Sequence, residues 1–280
     1  MTPAQLIREA AERLRQAGVP DARVDASLLL AHVTGRQALA LRLDTDTVLD
    51  EKELEAFERL CARRAAREPL QYILGEQPFF GRPFRVTPAV LIPRPETELL
   101  CELALERVRG QASPAVLDLC CGSGCIGVTM ALERPDARVT AVDISPEALA
   151  VARANADSLG ARVTFAQGDL FAAVEGQRFD LILSNPPYIP TADLAPEALQ
   201  AEVQREPRLA LDGGADGLNL YRRIAAEAPA HLADGGLLLM ELGIGEAVAV
   251  GELCRGAGLT DVRVHPDLNG IPRVLEARFC

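Results

Sequence analysis

The chain has 280 residues, room for one large domain with a smaller one attached. Its formal net charge of −11 is uneven: residues 1–88 carry 13 basic and 13 acidic side chains, so the whole excess falls on the remainder. A near-neutral front and an acidic body weigh against tight, sequence-independent binding to nucleic acid and suit a protein partner or small ligand better than DNA.

The N-terminus lacks a basic region followed by an apolar core, and no run approaches the roughly 20 apolar residues of a membrane span, so a cytoplasmic protein is expected. Residues 2–70 read as helical. Thr2 caps and Pro3 opens a first helix with Leu6, Ile7, Ala10, Ala11 and Leu14 on one face. A second runs from Asp21 to Gly35, and a short one surrounds Leu39–Leu43. Asp50 with Glu53 three residues on resembles a capping box for a fourth, with Leu54, Phe57, Leu60 and Cys61 recurring before Pro69.

Residues 71–92 change character: Phe79-Phe80, Gly81-Arg82 and Pro83–Val86 predict a hairpin-like connector. A helix follows from Pro95, with Arg94 in the rigid Pro93-Arg94-Pro95 turn before it, a candidate ligand contact. From residue 115 strands and helices alternate, which predicts an α/β fold with a parallel sheet covered on both faces. The expected strands are Ala115–Leu119, Arg138–Asp143, Arg162–Ala166, Phe179–Ser184 and Gly236–Glu241. Two more, Leu259–Val264 and Arg273–Phe279, form a hairpin at the sheet edge.

Four strand ends carry candidate chemistry. After the first, Gly122, Gly124 and Gly127 match G-x-G-x-x-G, a pattern shared by NAD, FAD and S-adenosylmethionine enzymes. After the second, Asp143 lies 19 residues beyond Gly124, near the offset of a carboxylate that grips ribose hydroxyls. After the third, Asp169 offers an acceptor to an adenine amino group.

The fourth ends in Asn185-Pro186-Pro187-Tyr188. Neither proline donates a backbone hydrogen bond, and Asn185 is biased to extended geometry by the proline after it. Hydride transfer has no use for such a corner; methyl transfer to a planar amino group does. The lone pair of an amide or aromatic amine is delocalised. Acceptors on both N–H groups, the Asn185 side-chain oxygen and the Pro186 carbonyl, would align that nitrogen with a sulfonium methyl. Tyr188 could stack on the flat target. The seven cysteines (61, 101, 120, 121, 125, 254 and 280) lack the paired spacing of a metal site and read as reduced thiols, so no metal is expected.

Taken together, these segments resemble the HemK/PrmC-type peptide chain release factor glutamine methyltransferases over essentially the whole length. The carriers are Ile92–Glu98, the Asp118–Gly124 loop, Val142-Asp143, Ser184–Tyr188 and Asp212–Gly217; the Pro-Arg-Pro-Glu-Thr-Glu run is the most discriminating. The resemblance implies an S-adenosylmethionine-dependent methyltransferase fold, a mostly parallel seven-stranded sheet behind a small N-terminal helical domain. Its layout would be a helical substrate-recognition domain over 1–75, a connector over 76–92 and a methyltransferase domain over 93–280.

It further implies that S-adenosylmethionine contacts Cys120, Cys121, Gly122, Ser123, Gly124, Asp143, Asp169, Leu170 and Asn185. The substrate would be the glutamine of a release factor's Gly-Gly-Gln loop, held by Asn185, Pro186, Pro187, Tyr188 and Arg94, with Asn185, Pro186 and Tyr188 catalytic. Many members have glycine where this chain has Cys120, so the loop backbone can differ there. A monomer that binds neither nucleic acid nor membrane is expected. Alternatives are the sister enzymes acting on a ribosomal-protein glutamine, a nucleic-acid adenine methyltransferase, and a non-catalytic cofactor-sensing module.

Overall fold

A computed structural model of the chain describes residues 1–195 and 197–280. They divide into two compact units, one of residues 1–75 with 200–205, the other of 76–199 with 206–280.

The first unit is helical: α1 (Pro3–Gln16), α2 (Ala22–Thr34), α3 (Ala38–Leu43), α4 (Glu51–Ala65) and α5 (Leu70–Leu74). Thr2 with Gln5, and Asp50 with Glu53, form reciprocal capping boxes that satisfy the first amides of α1 and α4. Leu6, Ile7 and Leu14 of α1, Leu29 and Leu30 of α2, and Phe57 of α4 close a common core. Helix α5 falls where the sequence predicts the start of the connector. Pro69 precedes it, and Gly75, left-handed at φ +82°, ends it.

The segment 200–205, which the sequence places inside the catalytic domain, packs instead with these helices. Buried Arg64 meets Asp25 at 2.7 Å and Glu202 at 2.8 Å, and Arg67 adds a second bond to Glu202 at 2.6 Å. Burial alone would raise the Glu202 carboxyl, but the bonds from Arg67 and Arg64 hold it down at about 2.

The second unit opens with a hairpin of β1 (Glu76–Phe79) and β2 (Arg82–Arg85), then α6 (Glu96–Arg107). The alternation that follows is β3 (Ala115–Leu119), α7 (Cys125–Glu133), β4 (Arg138–Asp143), α8 (Pro146–Leu159), β5 (Val163–Gln167), β6 (Phe179–Ser184), α9 (Asn219–His231), β7 (Leu232–Glu241), α10 (Ala247–Gly256), β8 (Thr260–Pro266) and β9 (Pro272–Arg278). The sheet order is β5-β4-β3-β6-β7-β9-β8, with every strand parallel except β9, which runs antiparallel between β7 and β8.

Side chains alternate across the sheet as period-2 strands require. Leu117, Leu119, Ile182 and Leu238 pack into one core with Tyr221 and Ile224 of α9; Val116, Leu181, Leu183 and Leu239 pack into the other with Leu100 of α6 and Val128 of α7. Strand β3 has β4 on one side and β6 on the other, so the chain reverses its direction of winding there. Ligands of open α/β sheets bind at the carboxyl ends of the strands at such a switch.

Candidate active site

Strand register sets the site. Leu119 pairs with Val142 of β4 and with Ser184 of β6, so the loop leaving β3 lies between Asp143 and Asn185. Ser184 in turn pairs with Met240, which places Glu241 of β7 beside Asn185. A cavity of about 290 Å³ opens at these strand ends.

Each glycine of the loop has a separate task. Gly122 is left-handed at φ +53°, and a Cβ there would meet nothing within 4 Å, so its backbone faces open space. Gly124, at φ +78°, lies against α8: a Cβ would stand 3.0 Å from the Ala152 Cβ. Gly127 lets α7 approach β3, since a Cβ would come 3.0 Å from Asp118 Oδ2, which accepts the Gly127 amide at 2.9 Å. The fully buried Asp118 carboxyl is pushed up to about 7, chiefly by loss of water.

Cys120 is itself left-handed, at φ +59°, and so is Leu170 at φ +51°. A cysteine here thus takes the conformation glycine adopts most easily, and its half-buried thiol is pushed up to about 12, chiefly by loss of water. Asp143 accepts from Gly122 N at 2.8 Å and from Ser145 N at 2.9 Å, while the Ser145 hydroxyl caps α8 by accepting from Ala148 N. Ser145 therefore caps α8, and Asp143 braces the glycine loop and lines the cavity.

Of the residues singled out in the sequence, Arg94, Cys120, Cys121, Gly122, Ser123, Asp143, Asp169, Leu170, Asn185 and Pro187 line the cavity together. Gly124, Pro186 and Tyr188 do not. Pro186 is buried and Tyr188 half-buried beside the core. Two lining charges are already engaged: Arg94 pairs with Glu206, and Asp169 lies 3.0 Å from Arg223. Buried Glu206 also accepts the Ile92 amide at 3.0 Å, so one carboxylate pins both ends of the Ile92–Arg94 turn.

Other supports carry little local signal in the sequence. Asn155 of α8, fully buried, accepts from Arg85 N at 2.7 Å and donates to Arg85 O at 3.0 Å and Ser123 O at 2.8 Å, joining the hairpin to the glycine loop. The Asp212–Gly217 run backs the Asn-Pro-Pro-Tyr corner: Ile189 N donates to Leu211 O at 2.9 Å, and Gly213 N donates to Ile189 O at 2.8 Å. Thr97, in the first turn of α6, donates to the Glu241 carboxylate at 2.6 Å and accepts from Asn185 Nδ2 at 3.3 Å. Both Thr97 and Glu241 are buried, and loss of water pushes the Glu241 carboxyl up to about 7.

The geometry thus offers an exposed backbone turn and a carboxylate on one side, and an amide with acceptor character on the other. A nucleoside-bearing donor and a planar amide or amine fit such a cavity. Among the described residues no helix is long and apolar enough to cross a membrane, and no cluster of His, Cys, Asp and Glu could hold a metal.

Two family models match the chain: the PrmC N-terminal domain over residues 5–75 and the methyltransferase small domain over residues 96–215. A release factor glutamine methyltransferase of Geobacter sulfurreducens is 51% identical over 95% of this chain and 93% of its own. Another, of Cereibacter sphaeroides, is 48% identical over 100% of this chain and 99% of its own. Among solved structures, the Thermus thermophilus 16S rRNA N2 G1207 methyltransferase in complex with AdoMet and guanosine superposes with a TM-score of 0.52. At 20% identity, over 73% of this chain and 50% of that one, it supports the fold alone. By sequence along its whole length, the chain belongs to the release factor glutamine methyltransferase family.

Proposed function

We infer that the protein methylates the side-chain amide nitrogen of a glutamine in peptide chain release factors, the glutamine of their Gly-Gly-Gln loop, with S-adenosylmethionine as donor. The observation that carries this reading is the shared cavity: the glycine loop and Asn185 line one space at the ends of β3 and β6. Family membership identifies the substrate class.

The residues fit the cofactor. Gly122 presents bare backbone, the Asp143 carboxylate, braced by two amides, is available to ribose hydroxyls, and Gly168–Leu170 edges the same space. Bound there, S-adenosylmethionine supplies an electrophilic methyl group on a sulfonium. The protein's own contribution is to the acceptor. An amide nitrogen is a weak nucleophile because its lone pair is shared with the carbonyl. Asn185 Oδ1 and the Pro186 carbonyl accept its two N–H groups, hold it in line with the methyl, and favour the positive charge that develops on it. No strong base is needed, since the N-methylated amide loses its proton readily.

Arg94 contacts the substrate from the cavity rim, and Tyr188, outside the cavity lining, backs the corner from the core side. The helical unit recognises the release factor, and the enzyme works as a monomer without touching nucleic acid. The acidic body supports a protein substrate. The deciding experiment is transfer of labelled methyl to release factor, with a Gln→Ala substitution in its Gly-Gly-Gln loop as control. Label should appear on the unaltered factor only; transfer to both, or to neither, would overturn the reading.

A further inference from the structure

Asn185 is useful as an acceptor only if its amide presents Oδ1, rather than Nδ2, to the substrate. Nothing in Asn185 itself decides this, because the two ends of the amide have nearly the same shape and opposite hydrogen-bonding character.

The decision is made outside the corner. Thr97 has one hydroxyl proton, which goes to Glu241 Oε2 at 2.6 Å. With Glu241 ionised, the Thr97 oxygen has given that proton away and can only accept from Asn185, and the atom it meets at 3.3 Å is Nδ2. All three residues come from different elements: Thr97 from α6, Glu241 from the end of β7, Asn185 from the end of β6. Thr97 and Glu241 are 2% and 1% exposed, so water cannot substitute for either partner. The Glu241 backbone is tied as well, its carbonyl accepting from the Tyr221 hydroxyl at 2.7 Å.

We propose that Thr97 and Glu241 are positioning residues: the Glu241 carboxylate sets the direction of the hydrogen bonds through Thr97, which commits Asn185 Nδ2 and leaves Oδ1 to receive the substrate amide. The proposal rests on the amide-methylation reading and gives a task to the threonine of the Pro-Arg-Pro-Glu-Thr-Glu run. Thr97 lines the cavity but is 2% exposed, and Glu241 lies outside the lining, so cofactor affinity should change little.

The test compares the wild-type protein with Thr97→Val, Thr97→Ser and Glu241→Gln. Thr97→Val keeps the shape and removes both hydrogen bonds; kcat should fall about 10-fold, the worth of one such bond. The KM for release factor and the Kd for S-adenosylmethionine should change less than about twofold by the same reasoning, because neither ligand loses a contact. Thr97→Ser restores the hydroxyl and should restore kcat. Glu241→Gln can accept from or donate to Thr97, so both amide orientations become possible and kcat should fall by a smaller factor, about 2- to 5-fold.

A second readout needs no substrate. The Asn185 side-chain amide signal in a nitrogen–proton spectrum, identified by its loss in Asn185→Ala, should shift in Thr97→Val and return in Thr97→Ser. If the wild-type protein transfers no methyl to release factor, the functional reading fails while this spectrum still decides the orientation. Should Thr97→Val not fold, Glu241→Gln carries both measurements. An unmoved Asn185 signal in the folded variants, or an unchanged kcat, overturns the proposal.

Discussion

Gly213 lies so close to Tyr188 that a Cβ built on it would stand 2.8 Å from the Tyr188 Cα and 2.6 Å from the Gly217 carbonyl oxygen. The glycine-rich run is therefore the backing against which the Asn-Pro-Pro-Tyr corner is held. Gly213→Ala should push that corner out of line. Since a misplacement of about 1 Å can cost on the order of 100-fold in rate, kcat should drop by at least 10-fold. S-adenosylmethionine affinity, measured by calorimetry, should be nearly unchanged, because Gly213 does not line the cavity.

Cys120 holds a left-handed backbone at φ +59°. A β-branched residue tolerates that region worst, so Cys120→Val should destabilise the protein by about 2 kcal/mol and weaken cofactor binding. Cys120→Gly should stay within about 1 kcal/mol of the wild type, as relief of backbone strain offsets the lost packing of a small thiol. Chemical denaturation of the two variants separates these outcomes; equal losses would show that the sulfur, not the backbone, is what the site requires. With its thiol pushed up to about 12, Cys120 should also resist alkylation at pH 8 in the folded protein.

Asn155 fastens Arg85 and Ser123 through three hydrogen bonds. Asn155→Leu would leave the Arg85 amide and two carbonyls without partners, at a cost of about 3 kcal/mol or more. The loss should appear as a lower denaturation midpoint together with a higher Kd for S-adenosylmethionine, because Ser123 belongs to the glycine loop. A change in stability alone would mean that the loop keeps its shape without this anchor.

Asp118 and Glu241 both sit at about 7, raised from 3.8 and 4.5 by burial. Asp143 raises the first further and the Gly127 amide lowers it; around Glu241 the Thr97 hydroxyl lowers, Glu96 raises, and Arg273 and Arg94 lower. Each group binds its proton more tightly folded than unfolded. The folded chain thus holds extra protons between about 4 and 7, and stability falls as pH rises through that window, by up to ~1.4 kcal/mol per pH unit for each group. Glu202, held at about 2, acts in the opposite sense and loses its contribution as pH falls below its ordinary range. Urea unfolding should give greater stability at pH 5 than at pH 8, with a smaller difference in Asp118→Asn. Greater stability at pH 8 would refute the assignment.

What the sequence made legible was local. The Thr2 cap and the Asp50–Glu53 capping box each act within one helical turn and form as read, and Gln5 adds the reciprocal bond at Thr2. The strand ends at Asp143 and Asn185 could be placed because apolar runs stop there at turn-forming residues. The hidden features join residues far apart along the chain. Thr97 and Glu241 are 144 positions apart, Arg64 and Glu202 are 138, and Ile92 and Glu206 are 114. Asn155, in mid-helix, has the local signature of an ordinary surface amide until β2 packs over it. Single-sequence periodicity reports which face a residue takes; it carries no information about which partner meets that face. Arg94 shows the same limit: its rigid Pro-Arg-Pro setting was legible, its counter-ion Glu206 was not.

The insertion of Glu202 among Arg64 and Arg67 makes the helical unit discontinuous along the gene. No single cut divides the protein into two self-sufficient pieces. A fragment ending at residue 75 would carry the Arg64 guanidinium with one of its two carboxylates missing, and the remaining fragment would carry Glu202 with neither arginine. Shuffling the helical unit between relatives therefore requires two breakpoints, and substitutions at Arg64 or Arg67 must be matched by substitutions more than a hundred residues downstream.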